Sequence, residues 1–104
     1  MRSKYRNIKT EIGGHVFASQ REARRYTDLK LLELTGKIER LELQPRFDIV
    51  VNGTKICRYI ADFAYWKRGA GQQTVEDVKG FLTPVYRLKK KLVYACHGVI
   101  VEEV

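Results

Sequence analysis

The chain has 104 residues, 44% of them hydrophobic, which suits one small domain with a single core and excludes wholesale disorder. Its formal net charge of +8 points to a polyanionic partner, nucleic acid above all. No apolar run approaches membrane-spanning length and no apolar block marks a secretory leader, so a soluble, cytoplasmic protein is expected.

Residues 1–12 are polar and basic, with Arg2, Lys4, Arg6 and Lys9, and are expected to form a flexible arm ahead of a domain over 13–104. Gly13-Gly14 reads as a turn, and Val16 and Phe17 as a short apolar staple. Ser19-Gln20-Arg21-Glu22 fits the capping-box pattern, which predicts a helix over 19–35 with Gly36 as its stop. Glu22, Tyr26 and Leu29 share one stripe of that helix, whereas Arg21, Arg24, Arg25 and Lys30 lie mostly elsewhere.

Residues 38–51 are strand-like, with a break near Gln44-Pro45, and Asn52-Gly53 is a strong hairpin turn signal. A second strand is expected over 55–66 and a third over 73–80, joined by the turn Arg68-Gly69-Ala70-Gly71-Gln72. Thr83-Pro84 supplies an N-cap followed by proline at the first helical position. The helix it opens should run to about Ala95, with Val85, Leu88 and Leu92 as its buried stripe and Arg87, Lys90, Lys91 and Tyr94 more exposed. Gly98 ends it, and Val99-Ile100-Val101 makes a last strand. The order α-β-β-β-α-β contains a β-α-β crossover after an antiparallel hairpin, so the expected fold is α/β (α+β), a central mixed sheet flanked by helices. Cys57 and Cys96 have no metal-ligand spacing and read as free thiols of a reducing compartment.

A hairpin centred between Gly69 and Ala70 sets Asp62 opposite Asp77, and directly opposed residues have Cβ atoms about 5 Å apart. Lys79 lies two residues past Asp77 and leaves the same sheet face. Two carboxylates that close repel unless a cation lies between them, and a divalent metal with a nearby lysine is the usual arrangement in phosphodiester hydrolysis. Asp62 sits in the apolar run Ile60-Ala61-Asp62-Phe63-Ala64, where an unpaired carboxylate is costly. Glu22 has two readings, a third acid of the same cluster or a capping-box side chain returning to the Ser19 backbone. Glu76 should point to the opposite face. A second triplet of the same form, Asp28-Leu29-Lys30, lies inside the first helix and reads as a solvated pair. Gln44 and Arg46 could contact phosphate, as could the basic face of Lys89, Lys90 and Lys91.

A glutamate on the first helix, an aspartate ending a strand, then Asp-x-Lys on the next strand and a following helix resembles the PD-(D/E)xK nuclease superfamily. Ser19 to Arg25, Leu43-Gln44-Pro45, Tyr59-Ile60-Ala61-Asp62-Phe63 and Val75-Glu76-Asp77-Val78-Lys79-Gly80 together look like a family of small phage and prophage proteins within it. The plan is also similar to that of the phage junction-resolving endonucleases. The chain departs from the superfamily signature in carrying Ala61 before Asp62 and Asp77 at the third acidic position. The resemblance implies a restriction-endonuclease-like fold and a metal-dependent DNA endonuclease, with selectivity for branched DNA and a homodimer as its expected extensions. It implies Mg²⁺ or Mn²⁺ held by Asp62, Asp77 and the Val78 carbonyl, with Glu22 at a second position. Lys79 would act on the attacking water or on phosphate charge, leaving a 5′-phosphate. Arg21, Arg25, Gln44, Arg46, Arg87, Lys90 and Lys91 are the expected DNA contacts. A non-catalytic DNA-binding module, or a small basic RNA-binding protein, is the alternative expectation.

Overall fold

A computed structural model describes residues 9–104 and shows a mixed α+β domain. Arg2, Lys4 and Arg6 of the expected arm lie outside the described residues. The end of that stretch is not an arm. Strand β1 (Thr10–Ile12) pairs antiparallel with β2 (His15–Phe17) across the Gly13-Gly14 turn, where φ is +60° and +83°. Helix α1 (Gln20–Leu34) begins where the capping pattern placed it, with Ser19 Oγ accepting from the Glu22 N–H at 3.1 Å. Its buried stripe is Ala23, Tyr26 and Leu29, and Glu22 stands half-buried beside it.

The strand-like stretch after α1 breaks at Gln44-Pro45 into β3 (Ile38–Leu43) and β4 (Arg46–Val51). The strand expected over 55–66 is also broken, at Ala61-Asp62, into β5 (Thr54–Ile60) and β6 (Phe63–Lys67). The cause is tertiary, because the two halves serve different sheets. Strands β4 and β5 form a two-stranded sheet of their own among the described residues, while β3 and β6 enter a four-stranded sheet of order β3-β6-β7-β8. The two breaks are stitched together: the Gln44 N–H donates to the Asp62 carbonyl at 2.9 Å and the Ala61 N–H to the Pro45 carbonyl at 3.0 Å.

Strand β7 (Thr74–Asp77) pairs with β6 through Phe63↔Glu76, Ala64↔Val75 and Tyr65↔Thr74, so the next position out sets Asp62 against Asp77, as expected. After helix α2 (Pro84–His97), strand β8 (Val101–Glu103) lies parallel to β7, which completes the crossover. Thr83 caps α2 by accepting from the Tyr86 N–H at 3.0 Å, and Gly98 closes it with φ +69°.

Alternation along β6 directs Phe63 and Tyr65 to one sheet face and Ala64 to the other. One core cluster packs Phe63 and Tyr65 under α1 with Phe17, Ala23, Tyr26, Leu29 and Ile38. The other packs Ala64, Val75 and Val101 under α2, joined by Ile49 and Tyr59 from the β4–β5 ribbon. Helix α2 does not bury the stripe expected of it. Tyr86 and Val93 face the core, Leu92 is half-buried, and Val85 and Leu88 are 62% and 58% exposed. Tyr86 decides the rotation: its ring lies 6.2 Å from that of Tyr59, and its hydroxyl donates to Glu103 at 2.8 Å. Among the described residues, no helix is long and apolar enough to cross a membrane.

Candidate functional site

The C-terminal end of β7 emerges between the two helices, and the residues there are the chemically loaded ones. Asp77 is buried and points to the α2 side, where the Tyr59 hydroxyl donates to its carboxylate. Lys79 follows on the same side, its Nζ 3.4 Å from Asp77 Oδ1 and 4.3 Å from the centre of the Tyr86 ring. Asp62 arrives from the start of β6, and its Oδ2 accepts from the Val78 N–H at 2.7 Å. Aspartates 62 and 77 thus meet at the sheet end with one lysine beside them.

Their closeness is visible in proton affinity. Burial chiefly, then hydrogen bonding with Asp77 and the charges of Asp77 and Glu22, push the Asp62 carboxyl up from 3.8 to about 8. The Val78 N–H acts against this by favouring the carboxylate. Burial and the charge of Asp77 also raise Glu22, opposed by Lys79. Burial and the bond to Asp77 raise Tyr59, so its hydroxyl stays a donor.

Glu22 therefore lies within electrostatic reach of the pair. It borders, with Asp62, Val78 and Lys79, a cleft of about 530 Å³ whose rim is Ala18, Ser19, Arg21, Gly80 and Phe81. A smaller recess of about 110 Å³ on the other side of Glu22 and Asp62 is lined by His15, Leu43 and Gln44. Among the described residues, no three His, Cys, Asp or Glu side chains are gathered closely enough to hold a metal by themselves. The donors still fit a hard divalent ion. A buried carboxyl whose proton affinity is raised beside a second carboxylate, as at Asp62, is what such an ion relieves, and Mg²⁺ keeps most of its positions for water and phosphate.

The expected DNA contacts divide. Arg21 and Gln44 border the two openings, and Arg21 donates to the Lys79 carbonyl at 3.3 Å and the Val104 carbonyl at 3.2 Å. Arg46 is exposed at the start of β4. Arg25 is committed elsewhere: its guanidinium grips Glu76 at 2.8 and 2.6 Å, on the sheet face opposite Asp77. Glu76, only 2% exposed, also takes the Tyr65 hydroxyl. Arg87, Lys90 and Lys91 line a separate groove between α2 and β8 with Tyr94, Val99 and Ile100, and Lys90 is paired with Glu103 at 3.0 Å.

Sequence reasoning missed Tyr59, Tyr86 and the Arg25–Glu76–Tyr65 cluster. The only available signal for Tyr59 was its place three residues before Asp62. Nothing local marks Arg25 as the partner of a residue 51 positions away. The family described as "Protein of unknown function (DUF1064)" matches residues 2–99, so the chain belongs to that family. No curated protein and no solved structure matches the chain.

Proposed function

We propose that the protein is a metal-dependent DNA endonuclease with a restriction-endonuclease-like fold, of phage or prophage type and homodimeric when it makes paired cuts. The observation that carries this reading is the meeting of Asp62 and Asp77 at the end of β7 with Lys79 Nζ 3.4 Å from Asp77. A binder needs no such arrangement, because buried carboxylates repel phosphate as well as each other. The net charge of +8 and the presence of Arg21 on the cleft rim support a phosphate backbone as the ligand. A domain this small has little surface for reading a long base sequence, so recognition rests on phosphates and on DNA shape.

Asp62, Asp77 and the Val78 carbonyl would hold Mg²⁺ or Mn²⁺, with Glu22 at the edge of the set. The ion, when bound, supplies the positive charge that polarises the scissile phosphate and acidifies water. The chain supplies the rest. Lys79, fixed by Asp77 and the Tyr86 ring, places its ammonium where it offsets charge building on the phosphate oxygens. Glu22, with its raised proton affinity, is suited to take a proton from the attacking water. Tyr59 holds Asp77 in one orientation.

The second reading is a DNA-binding module without catalysis, favoured by the lack, among the described residues, of three gathered metal-binding side chains. The two separate on a panel of duplex, nicked, flap, single-stranded and four-way-junction DNA, incubated with Mg²⁺, Mn²⁺ or chelator beside Asp77→Ala. Metal-dependent cutting lost in the variant establishes the nuclease. Intact binding by both proteins with no cutting of any substrate establishes the module, and RNA preference indifferent to Asp77→Ala would point to neither.

A further inference from the structure

We propose that the groove between α2 and β8 is a docking site for an extended, acidic segment of a partner protein, which adds to the open edge of β8 as a further strand. The site is separate from the carboxylate cleft and does not depend on DNA cleavage. Among the described residues, β8 is the last strand of its sheet and has β7 as its one neighbour. A free edge by itself says little, since proteins leave many and blunt them with charge. This edge is set apart by what lies along it. The Val104 N–H turns inward to the Asp77 carbonyl at 3.0 Å. Backbone groups alternate sides along a strand, so those of Val101 and Glu103 turn outward, where an added strand would pair with them. Beside them runs a groove of about 460 Å³, floored by Tyr94, Val99, Ile100 and Val101. Tyr94 is 59% and Ile100 66% exposed, so this floor is open to a ligand.

The helix wall of the groove is the stripe Arg87, Lys90, Lys91 and Tyr94, at helical spacing. The lining holds three cations against one carboxylate, and that carboxylate, on Glu103, already takes the Tyr86 hydroxyl and Lys90. Glu102 leaves the opposite sheet face. Arg87 and Lys91 are exposed and belong to no ion pair among the described residues. These charges call for an acidic occupant. A phosphate backbone would match them but leave the outward carbonyls and the apolar floor unmatched. A second copy of the chain would set Arg87, Lys90 and Lys91 against their own kind across a two-fold axis. An extended peptide meets every feature. Its main chain pairs with β8, and its alternate side chains enter the groove. Those side chains are acidic beside Arg87 and Lys91 and apolar over Tyr94 and Ile100.

The test is selection of a displayed library of random octapeptides on the full chain, in about 0.3 M salt to screen unspecific attraction. The strongest binder is then followed by fluorescence anisotropy and amide hydrogen exchange. Selected peptides should carry acidic and apolar residues at alternate positions, and binding should slow exchange at the Val101 and Glu103 amides at least tenfold. Lys91→Glu and Tyr94→Ser, both at exposed positions, should each weaken binding by about tenfold. Selection of no binder, or of binders without acidic residues, overturns the proposal, as does binding that leaves those two amides exchanging as before. An oligonucleotide that displaces the peptide and itself needs Tyr94 gives the groove to nucleic acid instead. A dimer in sedimentation that both variants dissolve gives it to a second copy.

Discussion

The meeting of Asp62 and Asp77 predicts a stability cost that can be measured without any substrate. The perturbation is Asp62→Asn, which keeps an oxygen to accept the Val78 N–H but removes the titration. A carboxyl raised from 3.8 to about 8 retains in the folded chain a proton that the unfolded chain has already lost. Stability therefore falls as pH rises through that window and levels off above it. At about 1.4 kcal/mol per tenfold change in proton affinity, the ceiling is about 6 kcal/mol. Asp62 is not fully enclosed, and solvent screening should leave about 3 kcal/mol of it. The assay is urea unfolding in chelator at pH 5 and pH 8.5. About two thirds of that loss falls between the two pH values, so with a slope of about 2 kcal/mol per M the wild-type midpoint should drop relative to Asp62→Asn by about 1 M. Mg²⁺ at a hundred times its Kd should then restore about 2.7 kcal/mol to wild type at pH 8.5, and much less to the variant. Parallel pH profiles for the two proteins would refute the reasoning, because burial and the neighbouring Asp77 would then not be raising the Asp62 carboxyl.

Arg25→Met should destabilise by about 3–5 kcal/mol in the same urea assay, since it strands a buried carboxylate. Adding Glu76→Gln should recover most of that loss, and additive losses would mean the pair is not coupled. Tyr59→Phe leaves an oxygen of the buried Asp77 without its donor and should cost about 1–3 kcal/mol in thermal or urea unfolding. Gly98→Ala forces a side chain into φ +69° at the end of α2, in open space, and should cost about 1 kcal/mol. A neutral result would mean the helix end rearranges.

Local rules carried the sequence reading wherever the determinant lay within a few residues. Ser19 and Thr83 as caps, Gly98 as a stop and the break at Gln44-Pro45 are short-range signals, and each is where it was expected. The hairpin register follows from taking the turn at 68–72 as centred between Gly69 and Ala70, and the pairing of Phe63 with Glu76 agrees with it. The rotation of α2 was not legible. The stripe of Val85, Leu88 and Leu92 and the stripe of Tyr86 and Val93 both obey helical spacing, and only the arrival of Tyr59 and Glu103 chooses between them. The break at Ala61-Asp62 was hidden for a similar reason. An unbroken run of strand-forming residues gives no local sign that its halves join different sheets.

That hidden break explains how one peptide unit can be held beneath two repelling carboxylates. If β5 ran on into β6, Asp62 would be an ordinary ladder residue. At the corner it joins three segments instead. Its carbonyl accepts from Gln44, its N–H donates to the Glu76 carbonyl at 3.1 Å, and its side chain accepts from the Val78 N–H. The Asp77 carbonyl, on the other side of the peptide plane shared with the Val78 N–H, accepts from the Val104 N–H at 3.0 Å. The Asp77–Val78 unit is thus fixed from both edges, by Asp62 and by the chain leaving β8. Asp77 cannot swing away from Asp62 to relieve their repulsion without giving up hydrogen bonds on both sides. The backbone thus holds the acidic pair in place from three segments of the chain, which the proposed metal site requires of it.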